Sequence, residues 1–404
     1  MVIALLALPS LGAAPPQQHG HVTLVSQTAW VMPGDVFRLG LHVDGIRDRD
    51  TLEIALSTYA RVPSRSAFQL TVQGRTSGSL IDVTSTPLTD LGLDDAGNLA
   101  ATLPIQDPAR VRDPSRLLLT HEGVYPVRVE LREKGGGAVL DRFTTHLVYA
   151  AAAPTGPKLD AAWVLRVHAP PAVQPDGTRR VSNTRDVLTM GQVLEATPTV
   201  PVSVAPTPET VEALTTAPGD AAGDALASLR RALGRREVVT GPYVPASLPS
   251  LIAGGLEAEA DAEVRRGSER LGEALHVPIE GTTYVTDEAL DEASIARLRD
   301  LGVGRVALPE SSMTPLQNRV TLARPFLVDA REGRRIEAAS VDDGLARHFT
   351  NDGNQVLAAH QFLADLAVLY FDQPGGPARG VVALTPRSWR PNRAFLETAL
   401  GGLA

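Results

Sequence analysis

A chain of 404 residues, 43% of them apolar, exceeds the size at which a single hydrophobic core stops growing, so two domains are expected. Zero cysteines exclude disulfides, thiolate zinc sites and cysteine nucleophiles together, and any metal would need His, Asp or Glu. The formal net charge of −8, with no clustered Lys/Arg run, argues against nucleic acid as a partner, and 35 Gly and 31 Pro spread through turns exclude a collagen-like chain.

Val2 to Leu11 is an apolar run followed by Gly12-Ala13-Ala14, a small-x-small pattern that predicts a signal peptide over 1–14, a leader over 15–21 and an extracytoplasmic location. The usual basic segment before such a run is missing. No later stretch reaches the roughly 18 apolar residues of a membrane span, so no transmembrane segment is expected in the mature chain.

Residues 22–150 carry apolar residues mostly at a spacing of two, which is the strand period, as in Val36-Phe37-Arg38-Leu39-Gly40-Leu41 and Val127-Arg128-Val129-Glu130-Leu131. Asp95-Ala96-Gly97-Asn98 and Gly135-Gly136-Gly137 read as hairpin tips, and Tyr125 as a corner tying a late strand to its loop. An immunoglobulin-like β-sandwich is the expected fold of this half. Residues 151–158, with an alanine run and Pro154-Thr155-Gly156-Pro157, are the expected linker between two separate cores.

Over 159–404 the pattern changes to strands alternating with helices. Strands are predicted at Ala162–Val167, Pro201–Val204, Glu237–Thr240, Thr282–Val285, Arg305–Leu308 and Gly380–Leu384. Helices are expected between them, including Arg185–Ala196, Ala221–Leu233, Glu288–Leu301 and Asn354–Phe371. Six or seven such units without a Gly-rich nucleotide fingerprint favour a distorted (β/α) barrel over a doubly wound sheet.

The succession Val202-Ser203-Val204-Ala205-Pro206, Val239-Thr240-Gly241-Pro242-Tyr243, His360 to Ala367 and Arg379 to Trp389 resembles an uncharacterised family of secreted actinobacterial envelope proteins, whose genes often lie beside that of the lipid II flippase. The resemblance implies cell-wall glycan or membrane-bound envelope machinery as partner. Its members usually continue into further β-rich sequence and a membrane anchor, so a shortened form ending at Ala404 is expected. More remotely, the α/β half is similar to the barrels of family 57-like glycoside hydrolases and NodB-like deacetylases, with His168-Ala169-Pro170 standing where the former carry His-Gln-Pro.

Barrel enzymes place chemistry at the C-terminal ends of strands, which selects His168, Tyr243, Asp287 and Glu310, with Trp389 after the last strand. Glu310 is the candidate catalytic carboxylate, and His168, Tyr243 and Trp389 are the candidate ligand-binding residues, expected to converge. Asp287 and Glu288 read as caps of the helix that follows, and Asp342 or Asp343 as the cap of the next one. Gly-x-Ser-x-Gly and phosphate-loop motifs are missing, His348 and His360 are too far apart for one helical turn, and no metal or cofactor is expected. Two functions remain: a non-catalytic envelope protein with a degenerate carbohydrate-active-enzyme-like barrel, or a hydrolase of envelope polysaccharide using Glu310.

Overall fold

The computed structural model describes residues 20–75, 78–150, 157–178, 180–217, 219–314, 321, 323–330, 333–373 and 379–404. The expected signal peptide, the leader up to residue 19 and linker residues 151–156 lie outside them.

Two four-stranded antiparallel sheets form the N-terminal half. One has the order β1 (His21–Gln27), β2 (Val36–Asp44), β6 (Leu99–Pro104), β5 (Gly92–Leu93), and the other β4 (Leu80–Pro87), β3 (Leu52–Tyr59), β7 (Gly123–Glu133), β8 (Val139–Tyr149). The period-two pattern fixes the inward faces: Phe37, Leu39 and Leu41 of β2 meet Leu52 and Ile54 of β3 and Val127, Val129 and Leu131 of β7 in one core. Tyr125 donates its hydroxyl to the His121 carbonyl at 2.5 Å, closing the corner its position suggested. One helix stands among these strands, α1 (Arg65–Val72), capped by the Ser64 side chain.

The C-terminal half is built on parallel strands in the order β10 (Ser203–Pro206), β9 (Leu159–Val167), β15 (Arg379–Leu384), β14 (Arg335–Val341), β12 (Arg305–Pro309), β11 (Thr283–Val285). Single parallel bridges, Val204 with Val238 and Val239 with Glu280, carry the sheet from β10 back towards β11 and nearly close a barrel. A further strand, β13 (Phe326–Asp329), is antiparallel to β14. The interior is lined by small and branched residues, Val164, Val239, Ala307, Val341, Val382 and Leu384. Alternation sends Trp163, Leu165 and Val167 outward, against the helices α2 (Thr184–Ala196), α4 (Asp220–Leu233), α9 (Gln355–Asp372) and α10 (Arg393–Leu403). The remaining helices are α3 (Pro208–Thr216), α5 (Leu248–Ala253), α6 (Glu257–Leu275), α7 (Glu292–Asp300) and α8 (Asp343–Ala346).

The two halves share a core as well as having their own. Val62, Phe68, Val124 and Val148 of the sandwich pack on Ala364, Ala367 and Val368 of α9. Beside this apolar patch Arg65 reaches from α1 into the barrel domain and pairs with Asp342 at 2.6 Å and Asp365 at 2.7 Å. Asp365 also meets His348 Nε2 at 3.1 Å, while His146 Nε2 bonds Thr71 Oγ1 at 2.7 Å. A Cβ on Gly344 would stand 2.5 Å from the Arg65 guanidinium, so glycine is what lets that arginine in. With Asp342 and Asp365 only 3% and 0% exposed, removing Arg65 takes the shared guanidinium from two buried carboxylates and leaves them only the bonds from Leu345 N, Gln69 and His348. Arg65→Ala is therefore expected to cost about 3–5 kcal/mol in urea unfolding, and a loss below about 1 kcal/mol would show that the network does not hold the halves together.

The same region sets a pH dependence. Burial, with the nearby His348 second, pushes the His146 imidazole down to about 3, and burial alone pushes His360 down to about 4. Both are neutral when folded, so between their ordinary range near 6.5 and these lowered values the unfolded chain binds more protons than the folded one. Stability is then complete above about pH 6.5 and falls as the pH drops, by up to ~1.4 kcal/mol per pH unit for each histidine. Urea midpoints measured from pH 7 to 4.5 should decline, with a shallower decline in His360→Leu; a flat profile would contradict neutral burial.

Candidate functional site

The C-terminal ends of the barrel strands carry a polar layer directly above the Val/Ala interior. Arg166 lies two residues beyond the interior Val164 on β9, and Asp287 two beyond Val285 at the end of β11, so both belong to the inward-facing set. Arg166 Nη1 bonds Asp287 Oδ2 at 2.6 Å, and Arg387, after β15, reaches Asp287 Oδ1 at 2.9 Å. The β9 and β11 ends are separated by β10 and the Val238–Val239 segment, so this ion pair crosses the mouth. Arg166 is 8% exposed, whereas Asp287 and Arg387 are 41% and 34% exposed, which puts the open side of the cluster at Asp287 and Arg387.

Burial acts to raise the Asp287 carboxyl, but the two guanidiniums overrule it and hold it below the usual carboxylate range. The expected capping role of Asp287 and Glu288 does not describe these residues. Helix α7 starts later, and its cap is Asp291, which accepts from Ser294 N at 2.8 Å. Glu288 accepts instead from Leu248 N at 3.1 Å. Asp342 does cap α8, accepting from Leu345 N at 2.7 Å, and carries the ion pair with Arg65 in addition.

His168 stands beside the cluster, its Nδ1 3.0 Å from the Thr207 hydroxyl at the end of β10. Burial, then the charges of Arg387 and Arg166, push its imidazole below the ordinary value, so it is neutral near pH 7. Glu310 follows β12 and is partly buried; burial first, then Asp342 and Asp343, raise its carboxyl, while the backbone N–H of Asp343 favours the charged form. It therefore sits against the start of α8, beside an adjacent strand.

The side chains of Tyr243 and Trp389 are engaged by other partners, although the Tyr243 carbonyl accepts from Glu209 N at 3.0 Å, two residues from the Thr207 that His168 meets. Tyr243 is wedged between α3 and α6, its hydroxyl bonded to Glu212 and the Arg266 guanidinium 4.0 Å from its ring centroid; burial and that bond push the phenol up to about 12. Trp389 is 6% exposed and packs edge-on against Phe349 and Phe395 at 5.6 Å and 5.8 Å, so it presents no face to a sugar. No contact joins the four expected residues directly: among the described residues His168 stands with Arg166, Asp287 and Arg387, and Glu310 with Asp342, Asp343 and Arg65. Arg166 was legible as a lone charge on an inward position of an apolar strand. Arg65 was not, because it comes from the other domain. Among the described residues no group of three or more His, Asp or Glu is placed to hold a metal, and no helix is long and apolar enough to cross a membrane.

No family model and no curated protein matches the chain. Among solved structures it is similar to the 4-alpha-glucanotransferase of Thermococcus litoralis (TM-score 0.43, 13% identity, 61% of this chain and 36% of that one). It is also similar to an exo-type maltose-forming amylase of Pyrococcus sp. ST04 (0.41, 12%, 61% and 46%) and to the α-amylase AmyC of Thermotoga maritima (0.35, 12%, 47% and 46%). The chain thus spans between a third and a half of the length of these enzymes, and at these values none of their residues is carried over to it.

Asp287→Asn keeps the shape of the clamp and removes its charge, leaving Arg166 buried without a counter-ion. Allowing for the exposure of Asp287, a loss of about 1–3 kcal/mol is expected in thermal or urea unfolding. A variant as stable as the wild type would mean that the ion pair does not organise the mouth.

Proposed function

We propose that the protein is a non-catalytic, extracytoplasmic envelope protein whose degenerate carbohydrate-active-enzyme-like barrel binds glycan in cell-wall assembly, with the sandwich locked onto its side as a second contact surface. The observation that carries this reading is the Asp287 clamp. The mouth acid nearest His168 is neutralised by two arginines, and the other candidate, Glu310, rests on the start of α8. A glycosidase needs one carboxyl held neutral as acid and a second available as nucleophile or base across the scissile bond. Here Asp287 serves as a counter-ion, and Asp342 beside Glu310 is 3% exposed and paired with Arg65.

A second reading rests on one specific feature. The environments of Glu310 and Asp287 push their carboxyls in opposite directions, up and down, on neighbouring strands, which is how acid and base are separated in hydrolases. Product release from cell-wall glycan and α-glucan distinguishes the two, assayed with wild type, Glu310→Gln and Asp287→Asn in parallel. Glutamine and asparagine preserve shape while removing acid, base and nucleophile roles. No release from any of the three is expected, with glycan retention in a pull-down. Wild-type hydrolysis lost in both variants would establish the hydrolase.

A further inference from the structure

The bore of the barrel is not filled by its own side chains. Val164 of β9, Val239, Val285 of β11, Ala307 of β12, Ala339 of β14 and Val382 of β15 surround a cavity of about 260 Å³. They come from strands all round the sheet, so the space lies inside the barrel and not between barrel and helices. Branched residues pack the centre of such barrels, and alanine at 307 and 339 leaves room in their place. Roughly 150 Å³ of dry apolar space already holds a benzene ring. None of the clamp residues Arg166, Asp287 and Arg387 lines this cavity. Two residues before the apolar layer, facing the same way along each strand, stand Ser203, Glu237, Thr283, Arg305 and Glu337. Ala162, two before Val164, is exposed although it faces inward, and so are Glu237, Arg305 and Glu337, which places the opening at the N-terminal ends of the strands.

The polar ring at that opening is richer in acceptors than in free donors. Ser203 spends its hydroxyl on Glu237, and Arg305, the one cation of this lining, turns to Glu280 at 3.6 Å and to the Thr282 hydroxyl at 3.1 Å. Among the described residues the Glu337 carboxylate has no hydrogen-bond or ion-pair partner. We infer that the bore is a ligand site of its own, entered from the N-terminal end, for a small amphiphile with a hydrocarbon body and a hydrogen-bond-donating head, hydroxyl or ammonium. The hydrocarbon leaves water for contact with Val and Ala, and the head stays at the rim, where Glu237 and Glu337 accept from it. A carboxylate head on the same body meets those two acids instead and is disfavoured. The site lies at the other end of the barrel from Asp287, so it stands apart from the glycan-binding reading.

Methyl NMR of the full chain tests this, with the alanine signals assigned by Ala307→Leu and Ala339→Leu, which also fill the bore. The probes are butanol, hexanol and octanol, each with a terminal hydroxyl, then hexylammonium and hexanoate. The Ala307 and Ala339 methyls are expected to shift saturably, with affinity rising by about fourfold per methylene until the chain fills the space and then levelling off. Hexanoate should bind at least about tenfold more weakly than hexanol or hexylammonium. Each leucine variant should lose at least about tenfold in affinity for hexanol; where one of them does not fold, the wild-type series decides alone. No saturable shift at either methyl with any probe overturns the inference. So does an affinity that both leucine variants leave unchanged, since the alcohol then sits elsewhere. Hexanoate bound as tightly as hexanol overturns the assignment of the head, and with it the ligand class.

Discussion

One carboxylate at the top of a small-bore barrel must be held charged in a half-buried position, and much of the mouth is arranged around that constraint. Partial burial alone would raise the Asp287 carboxyl, and the two guanidiniums beside it turn that shift downward. Asp287 is met from β9 by Arg166 and from the loop after β15 by Arg387, so strands on opposite sides of the mouth become tied through it. Directly below lies a layer of Val, Ala and Leu, and the polar residues that share the barrel lining, Ser203, Glu237, Thr283, Arg305 and Glu337, stand at the opposite, N-terminal ends of the strands. The clamp thereby ties strand ends across the C-terminal mouth of the barrel, where Arg387 stays partly exposed.

A second charge network does for the domain arrangement what the clamp does for the mouth. Arg65 binds two acids that belong to different elements of the barrel half, Asp342 at the start of α8 and Asp365 within α9. Geometry of this kind specifies position more than it adds stability, since apolar contacts supply most of the driving force and a misplaced charge is heavily penalised. The apolar part is the packing of Phe68 and Val148 against Ala364 and Val368. The Trp30 Nε1 bond to the Gly402 carbonyl at 2.6 Å and the Asn354 bond to the Leu24 carbonyl at 2.8 Å extend the contact along the same side.

What the sequence revealed and what it hid follow from the range of the interactions. Period-two runs marked the sandwich strands because each has one face in a shared core, and alternation with helices marked the parallel strands of the second half. Tyr125 and Asp342 were readable since a corner and a cap are local, made within four residues. Asp287 looked like a cap for the same reason, and only the closure of the barrel shows that its partner lies 121 residues away in the chain at Arg166. Trp389 drew attention as an aromatic after a strand, yet its surroundings are set by Phe349 and Phe395, from a loop and a helix that composition cannot place next to it. The short helix α1 interrupts a strand-rich region, and its role through Arg65 depends on the other domain.

The account stands on the claim that Asp287 is a fixed counter-ion and that Glu310 titrates independently of it. Carboxyl carbon NMR of the folded protein, with the two side chains assigned by Asp287→Asn and Glu310→Gln, follows both groups through acid titration. The account predicts that Asp287 stays ionised to below the usual carboxylate range, that Glu310 protonates above it, and that each variant leaves the other group's titration unchanged. Two coupled macroscopic steps shared between Asp287 and Glu310, each shifted when the other is replaced, would mark a working acid–base pair and contradict it.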